Sequence, residues 1–180
     1  AAANYESDTV YGILTANAAL ADSVALFHAT HANLTGTGTA ISVASLGVAR
    51  TMMRKQKTIK NVVMNLRPRY LIVPAALETI AAQYVSANYV ANQSSTINPF
   101  AGAFEVISEA RLDDNSATAW YLAADPSMID TIEYCYLEGQ NGVYIETRQG
   151  FDVDGMEIKA RLDFAAKAID YRGLYKNVGA

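Results

Sequence analysis

The chain is poor in the residues that carry out small-molecule chemistry. Its 180 residues include one cysteine, Cys135, and two histidines, His28 and His31. A single cysteine excludes an internal disulfide framework and cannot build a thiolate metal cluster alone. Because Cys135 lies in an alternating strand pattern, it reads as a small buried hydrophobe. Charge is scarce too: 18% of residues are charged, against roughly 25% in ordinary soluble domains. The formal charge is −4 with both signs interspersed, so the basic stripe of a nucleic-acid-binding module is missing. No apolar run approaches the ~20 residues that a membrane span needs. The chain opens Ala1-Ala2-Ala3, with neither a basic nor an apolar leader pattern, which reads as no signal peptide. With no initiator Met, the expectation is a start inside a longer gene product or after processing.

What is present is apolar. At 51% hydrophobic, the chain is long enough for one good-sized core with room for a second small lobe. So few charges suit a surface buried against copies of the same chain, and equally a large monomeric core. No internal repeat or low-complexity tract appears.

Residues 65–85, NLRPRYLIVPAALETIAAQYV, organise the reading. Leu71, Ile72 and Val73 form an apolar run of buried-strand length. Pro74 stands where a first helical position belongs, since its missing N–H costs nothing there. Leu77, Ile80, Ala81, Tyr84 and Val85 then follow the spacing of one helical face. If those sites are buried, Leu77→Ala or Ile80→Ala should cost roughly 2–5 kcal/mol. A strand leading into an amphipathic helix predicts a layered α+β domain.

Upstream, Ser7 or Asp8 can cap a helix burying Val10, Ile13, Leu14, Asn17, Leu20 and Ala21. Residues 22–39 read as a loop. Ser42 or Ser45 caps a second helix through about Gln56, with Leu46, Ala49, Met52 and Met53 inside. Arg54, Lys55 and Lys57 complement its C-terminal dipole. Residues 88–99 form a polar loop of a length that is usually functional or mobile.

The second half is β-rich. Residues 104–107 and 119–123 read as strands separated by the turn-prone 113–116, and Asp125-Pro126 begins a short turn of helix. Residues 131–137 place Ile132, Tyr134 and Tyr136 on one face. The turn Gly139-Gln140-Asn141-Gly142 then predicts a hairpin with 143–147 as the partner strand. Residues 156–164 alternate, with Met156, Ile158, Ala160, Leu162 and Phe164 on one face and Glu157, Lys159, Arg161 and Asp163 on a wet one.

No catalytic constellation stands out. His28 and His31 are three apart on a loop, near Asp22 and Asn33, without the third ligand or rigid spacing of a metal site, and read as solvated loop histidines. Gly36-Thr37-Gly38-Thr39 lacks the Lys-Ser/Thr of a phosphate loop. Asp113 and Asp114, next to Arg111, read as turn formers rather than paired acids. Ser108, Ser116 and Ser127 lack a neighbouring base. Tyr134, Tyr136 and Tyr144 group as core or subunit-interface aromatics. A hydrolase, or a fragment attached to one, using His28, His31 and the Asp22 or Asp113 carboxylates is the second reading.

A further signal comes from longer motifs: Leu26-Phe-His-Ala-Thr-His-Ala-Asn33, Ala49-Arg-Thr-Met-Met-Arg-Lys-Gln56 and Arg67-Pro-Arg-Tyr-Leu-Ile-Val-Pro-Ala-Ala-Leu-Glu78. To these are added Ala119-Trp-Tyr-Leu-Ala-Ala-Asp-Pro126, Ile132-Glu-Tyr134, Tyr136-Leu-Glu-Gly139 and the closing stretch 150–173. Together they resemble the major capsid proteins of tailed bacteriophages with the Hong Kong 97 phage fold. The likeness extends in particular to the major head subunit of Mu-like prophages and to prohead protease–major capsid fusion proteins.

The resemblance implies an α+β Hong Kong 97-like fold, with an axial domain plus part of the peripheral domain, truncated and without the N-terminal arm. Residues 1–24 would end a spine helix, 25–41 form a loop, and 42–150 form the axial-type domain. Residues 151–180 would return toward the peripheral domain. Asn88, Tyr89, Asn92, Gln93 and Asn98 would line a subunit interface at the capsomer axis. The implied protein is a non-enzymatic head subunit of a phage or prophage virion, assembled in the bacterial host cytoplasm into an icosahedral shell that packages DNA. Its partners would be copies of itself in hexamers and pentamers, and other phage head proteins. No cofactor, metal, sequence-specific nucleic acid or membrane is implied.

Overall fold

The computed structural model describes residues 2–86, 98–150 and 154–180. At its centre lies a four-stranded mixed sheet of β1 (Pro68–Val73), β2 (Glu105–Ser108), β3 (Trp120–Ala124) and β8 (Leu174–Asn177), in the order β2-β1-β3-β8. Leu71 pairs with Leu122 and Leu122 with Tyr175, so one row of side chains crosses the sheet on one face. Ile72, Tyr121 and Lys176 form the row on the other. The first face packs on α2 (Val43–Arg54) and α3 (Glu78–Val85), where Leu71, Val73, Trp120, Leu122 and Tyr175 meet Leu46, Ala49, Met53 and Ala81. The second meets Leu14 of α1 (Ala2–Ala16) with Leu26, Phe27 and Leu112. A sheet covered on both faces explains why Leu71-Ile72-Val73 is continuously apolar instead of alternating. The α+β class expected from the sequence is the class observed.

Local chemistry sets the helix ends. Ser42 caps α2, its Oγ accepting from the Ser45 N–H at 3.1 Å while Ser45 Oγ accepts from the Ser42 N–H at 2.9 Å, a reciprocal box. α1 departs from expectation. It begins at Ala2, not at a Ser7 or Asp8 cap, and stops at Ala16. Asn17 takes φ 48°, the left-handed conformation that ends helices, and its side chain bonds both the N–H (2.7 Å) and C=O (3.2 Å) of Phe27. Leu20 and Ala21 therefore lie beyond the helix, in the loop. Pro74 is the cap residue of a 3-10 turn (Ala75–Leu77) leading into α3, not a first helical residue. On α3, Ala81 is buried and Leu77, Tyr84 and Val85 pack beside it, but Ile80 is 41% exposed. A helix of eight residues on the sheet buries a narrower stripe than the spacing predicts. Asp125-Pro126 opens a turn, closed by Met128 N–H to Asp125 C=O at 2.9 Å, and no helix.

The expected hairpin around Gly139–Gly142 is not formed. β4 (Ile132–Tyr136) pairs with β7 (Phe164–Ala168), and β5 (Tyr144–Gln149) pairs with β6 (Met156–Arg161). The four strands make an antiparallel ribbon, and past its β5–β6 end the Gly150 N–H reaches the Gly155 C=O at 2.9 Å. Gly139 (φ 79°) and Gly142 (φ 90°) supply the left-handed residues of an outward detour in one strand. α1 packs on β7 and covers the ribbon's base, where Tyr134, Tyr136 and Phe164 cluster at 5.3–6.0 Å between ring centres. Cys135 lies on the opposite side, which nothing covers among the described residues, and is exposed, not buried. The expected single strand 156–164 is β6 plus the start of β7. Its supposed core face, Met156, Ile158 and Ala160, is open to solvent.

Candidate subunit interface

Of the expected interface residues, Asn88, Tyr89, Asn92 and Gln93 lie outside the described residues. Asn98 lies at the foot of that segment and bonds to its own chain. Its Nδ2 donates to Tyr84 C=O (2.7 Å) and Ser86 C=O (3.1 Å), and its Oδ1 accepts from the Phe100 N–H (3.0 Å). With Gly102 N–H to Val85 C=O at 2.8 Å, these bonds tie residue 98 to the end of α3. The Phe100 ring below them stacks on Phe104 at 5.5 Å and lies under the Arg50 guanidinium at 4.5 Å.

The residues weighed for catalysis are committed to structure. His31 is buried, not solvated. It stacks on Tyr171 at 3.7 Å, with Nε2 2.8 Å from Asp22 Oδ2 and Nδ1 3.2 Å from Leu26 C=O. Both ring nitrogens are occupied, so the ring has no atom left to activate a nucleophile. The bond from His31, followed by the Val24 N–H, holds the Asp22 carboxyl below its ordinary range. His28 is exposed and its Nδ1 accepts from the Thr30 N–H at 3.1 Å, capping a 3-10 turn (Ala29–His31). Buried Asn33 and Gln56 bond the same loop, Asn33 to Leu26 C=O and Gln56 to His31 C=O, both at 2.8 Å. The structure thus brings Asp22 and His31 together as a loop staple.

Asp113 has a role that the sequence does not announce. Its Oδ2 and Oδ1 accept from the N–H groups of Ala75 (2.7 Å) and Ala76 (3.2 Å), capping the 3-10 turn that leads into α3 from 37–38 residues away. Gly38 lies against the chain terminus; a Cβ there would sit 1.6 Å from Gly179 C=O. Gly38 is therefore a packing contact, while a Cβ on Gly36 would meet open space. Among the described residues, no group of three or more His, Cys, Asp or Glu side chains could hold a metal ion, and no helix is long and apolar enough to cross a membrane.

What the surface does offer is apolar. Residues 57–63 form a small projection, with Thr58 N–H to Val62 C=O at 2.8 Å; it carries Ile59 (93% exposed) near its tip, with Val62 and Val63 also exposed nearer its base. Val43 and Val48 are open on the outer side of α2, beside a groove of about 700 Å³ lined by Ala44, Gly47, Thr51 and Met52. Large apolar side chains in such groups are the mark of surfaces meant to be covered by another molecule. Sequence patterning missed these groups because short apolar runs at turns and helix edges look the same whether covered or open.

No curated protein and no solved structure gives a significant match to the chain. A family model described as phage capsid protein matches residues 1–177, almost the whole length. A sheet core without a catalytic constellation among the described residues, and a surface with uncovered apolar groups, accord with that match: the chain belongs to the phage capsid protein family.

Proposed function

We propose that the protein is a structural head subunit that associates with copies of itself into rings and an icosahedral shell around packaged DNA. The observation that carries this reading is the family match over residues 1–177. Phage capsid proteins are structural, and the chain's own chemistry agrees: its two histidines and the Asp113 carboxylate are engaged in caps and staples.

The finer assignment is a Hong Kong 97-like fold, related to Mu-like head subunits and to capsid proteins fused to a prohead protease. Residues 1–24, helical as far as Ala16, are taken as the end of the spine-helix region, 25–41 as a loop, 42–150 as the axial-type domain and 151–180 as the return toward the peripheral domain by way of β8, which pairs with β3 in the central sheet. Residues 88–98, with Asn88, Tyr89, Asn92, Gln93 and Asn98, then face neighbouring copies at the capsomer axis. Rings built from one chain close through heterologous contacts between unlike surfaces. The proposed site of action is the virion, after assembly in the bacterial cytoplasm.

Electron microscopy of the full-length gene product tests the reading. Rings or closed shells are expected, and a product that forms neither overturns it. The hydrolase reading is tested alongside: a reproducible peptidase activity abolished by His28→Ala and His31→Ala without unfolding would replace the structural role.

A further inference from the structure

Over the whole chain acidic and basic residues balance to −4, but along it they are segregated. Residues 23–77 hold seven of the 14 arginines and lysines and not one aspartate or glutamate; all 18 acids lie elsewhere. Five of those seven cations gather in one place. Arg54 ends α2 and Lys55 caps it. The chain then doubles back on itself, with Lys57 bridged to Val63 and the Met64 N–H bonded to Gln56 C=O at 2.9 Å. Lys57 and Lys60 ride on this projection. Arg67 follows its return, two residues after Asn65, whose Oδ1 accepts from the Arg54 guanidinium at 3.5 Å. All five are exposed. Among the described residues, Arg69, Arg111, Arg148, Lys159, Arg161 and Arg172 have carboxylates within ion-pair distance, and these five have none. Asp170 does not neutralise them, since it is held by Arg172 Nη1 at 2.7 Å while Arg172 Nε donates to Lys57 C=O at 2.9 Å. The balance of the whole chain thus hides a basic surface.

We propose that Arg54, Lys55, Lys57, Lys60 and Arg67 form a site for the nucleic-acid backbone, holding duplex DNA by its phosphates without reading its sequence. The inference rests on the structural-subunit reading above, which supplies packaged DNA as the polyanion; in such a shell the end of α2 faces inward. A helix-end role accounts for part of the cluster only. The helix dipole favours Arg54 and Lys55 but fades within the last turn, and Lys57, Lys60 and Arg67 lie beyond it. Unpaired cations spread over a helix end and a projection, rather than converging on one point, match a ligand that is itself a row of charges. The acids elsewhere in the chain do not cancel this attraction. Exposed charges more than about 8–10 Å apart are largely screened at physiological salt, so the local surface decides, not the net charge.

The test uses the full-length chain before assembly and short DNA duplexes of two unrelated sequences, with binding read by fluorescence anisotropy across a salt series. Both duplexes should bind equally well. At about 0.9 per phosphate contact, five contacts give a slope of about −4.5 for log affinity against log salt. Lys57→Gln with Lys60→Gln and Arg67→Gln should bring the slope to about −1.8 and weaken binding at low salt by about tenfold or more. The charge-keeping variant Lys57→Arg with Lys60→Arg and Arg67→Lys should bind as the wild type does, and circular dichroism should be unchanged in both. A wild type that binds no duplex at low salt, or a Gln variant that keeps the wild-type slope, overturns the proposal. So does tighter binding to vesicles of anionic phospholipid than to duplex at the same salt, which makes the surface a membrane contact. A Gln variant that needs more protein to assemble yet binds duplex unchanged also overturns it, and makes the surface a contact between copies. Shells formed by a chain that binds no duplex overturn this site and leave the subunit reading standing. Duplex binding by a chain that forms neither rings nor shells supports the phosphate site and overturns the subunit reading.

Discussion

Replacing Leu122 by Ala and, separately, Ile80 by Ala measures how the central sheet is held. Leu122 is fully buried in the middle of β3, flanked by Leu71 and Tyr175 and facing the α2–α3 layer. Truncation removes about three methylene-sized groups, worth about 2.4 kcal/mol in transfer free energy alone. The cavity left between sheet and helices adds to this, for a total of about 3–5 kcal/mol. In a chain of this size that lowers the melting temperature by about 6–20 °C, at 2–4 °C per kcal/mol. Ile80 was expected from helical spacing to cost as much. Its side chain is 41% exposed, and no closed cavity forms when it is cut back, so the cost should be about 1 kcal/mol or less. Urea unfolding of both variants, at concentrations where subunits are unassociated, reads the difference. Equal costs, or a Leu122→Ala cost below about 1 kcal/mol, would refute the layer arrangement.

Other expectations follow from single contacts. Asp113→Ala should cost about 0.5–2 kcal/mol and loosen the start of α3, because two N–H groups lose their shared acceptor; hydrogen exchange at Ala75 and Ala76 reports it. The Asp125 carboxyl is held down at about 2, first by the Ser127 N–H and then by the Arg69 guanidinium. Its folded value is below the ordinary carboxylate pKa of about 4, so its contribution is full above pH 4 and is lost as pH falls toward 2; Asp125→Asn should flatten that part of the acid-unfolding curve. Burial holds the Lys176 ammonium below its ordinary range, near the rings of Phe27 and Tyr121. The charged form is thus disfavoured in the folded state, and the wild type should gain stability relative to Lys176→Met as pH rises toward the ordinary lysine pKa of about 10.4.

Features with local causes were legible in the sequence. The Ser42 cap, the Leu46–Ala49–Met53 stripe and the buried run at Leu71–Val73 each follow from a few neighbouring residues, and all appear as read. The ribbon was not legible. Gly139-Gln140-Asn141-Gly142 is a strong local turn, yet β4 takes its partner from beyond residue 163, because α1 offers Tyr134, Tyr136 and Phe164 a common surface. A period-two pattern says which residues share a face; it does not say whether anything covers that face. Alternation alone therefore places Met156, Ile158 and Cys135 in a core, whereas all three are exposed. Nor did loop composition reveal that His31 is clamped between Asp22, Leu26 and Tyr171, since the pairing spans up to 140 residues of chain. The Tyr171 stack and the Asp113 cap are tertiary features, invisible to any short window, whereas the Asp22–His31 bond spans only nine residues.

The central claim is that this chain works by associating with copies of itself. Sedimentation velocity of the full-length gene product over a wide concentration range tests it most directly. The account predicts discrete large species, of capsomer or shell size, that grow with concentration. A single boundary at the mass of one copy throughout that range would contradict it.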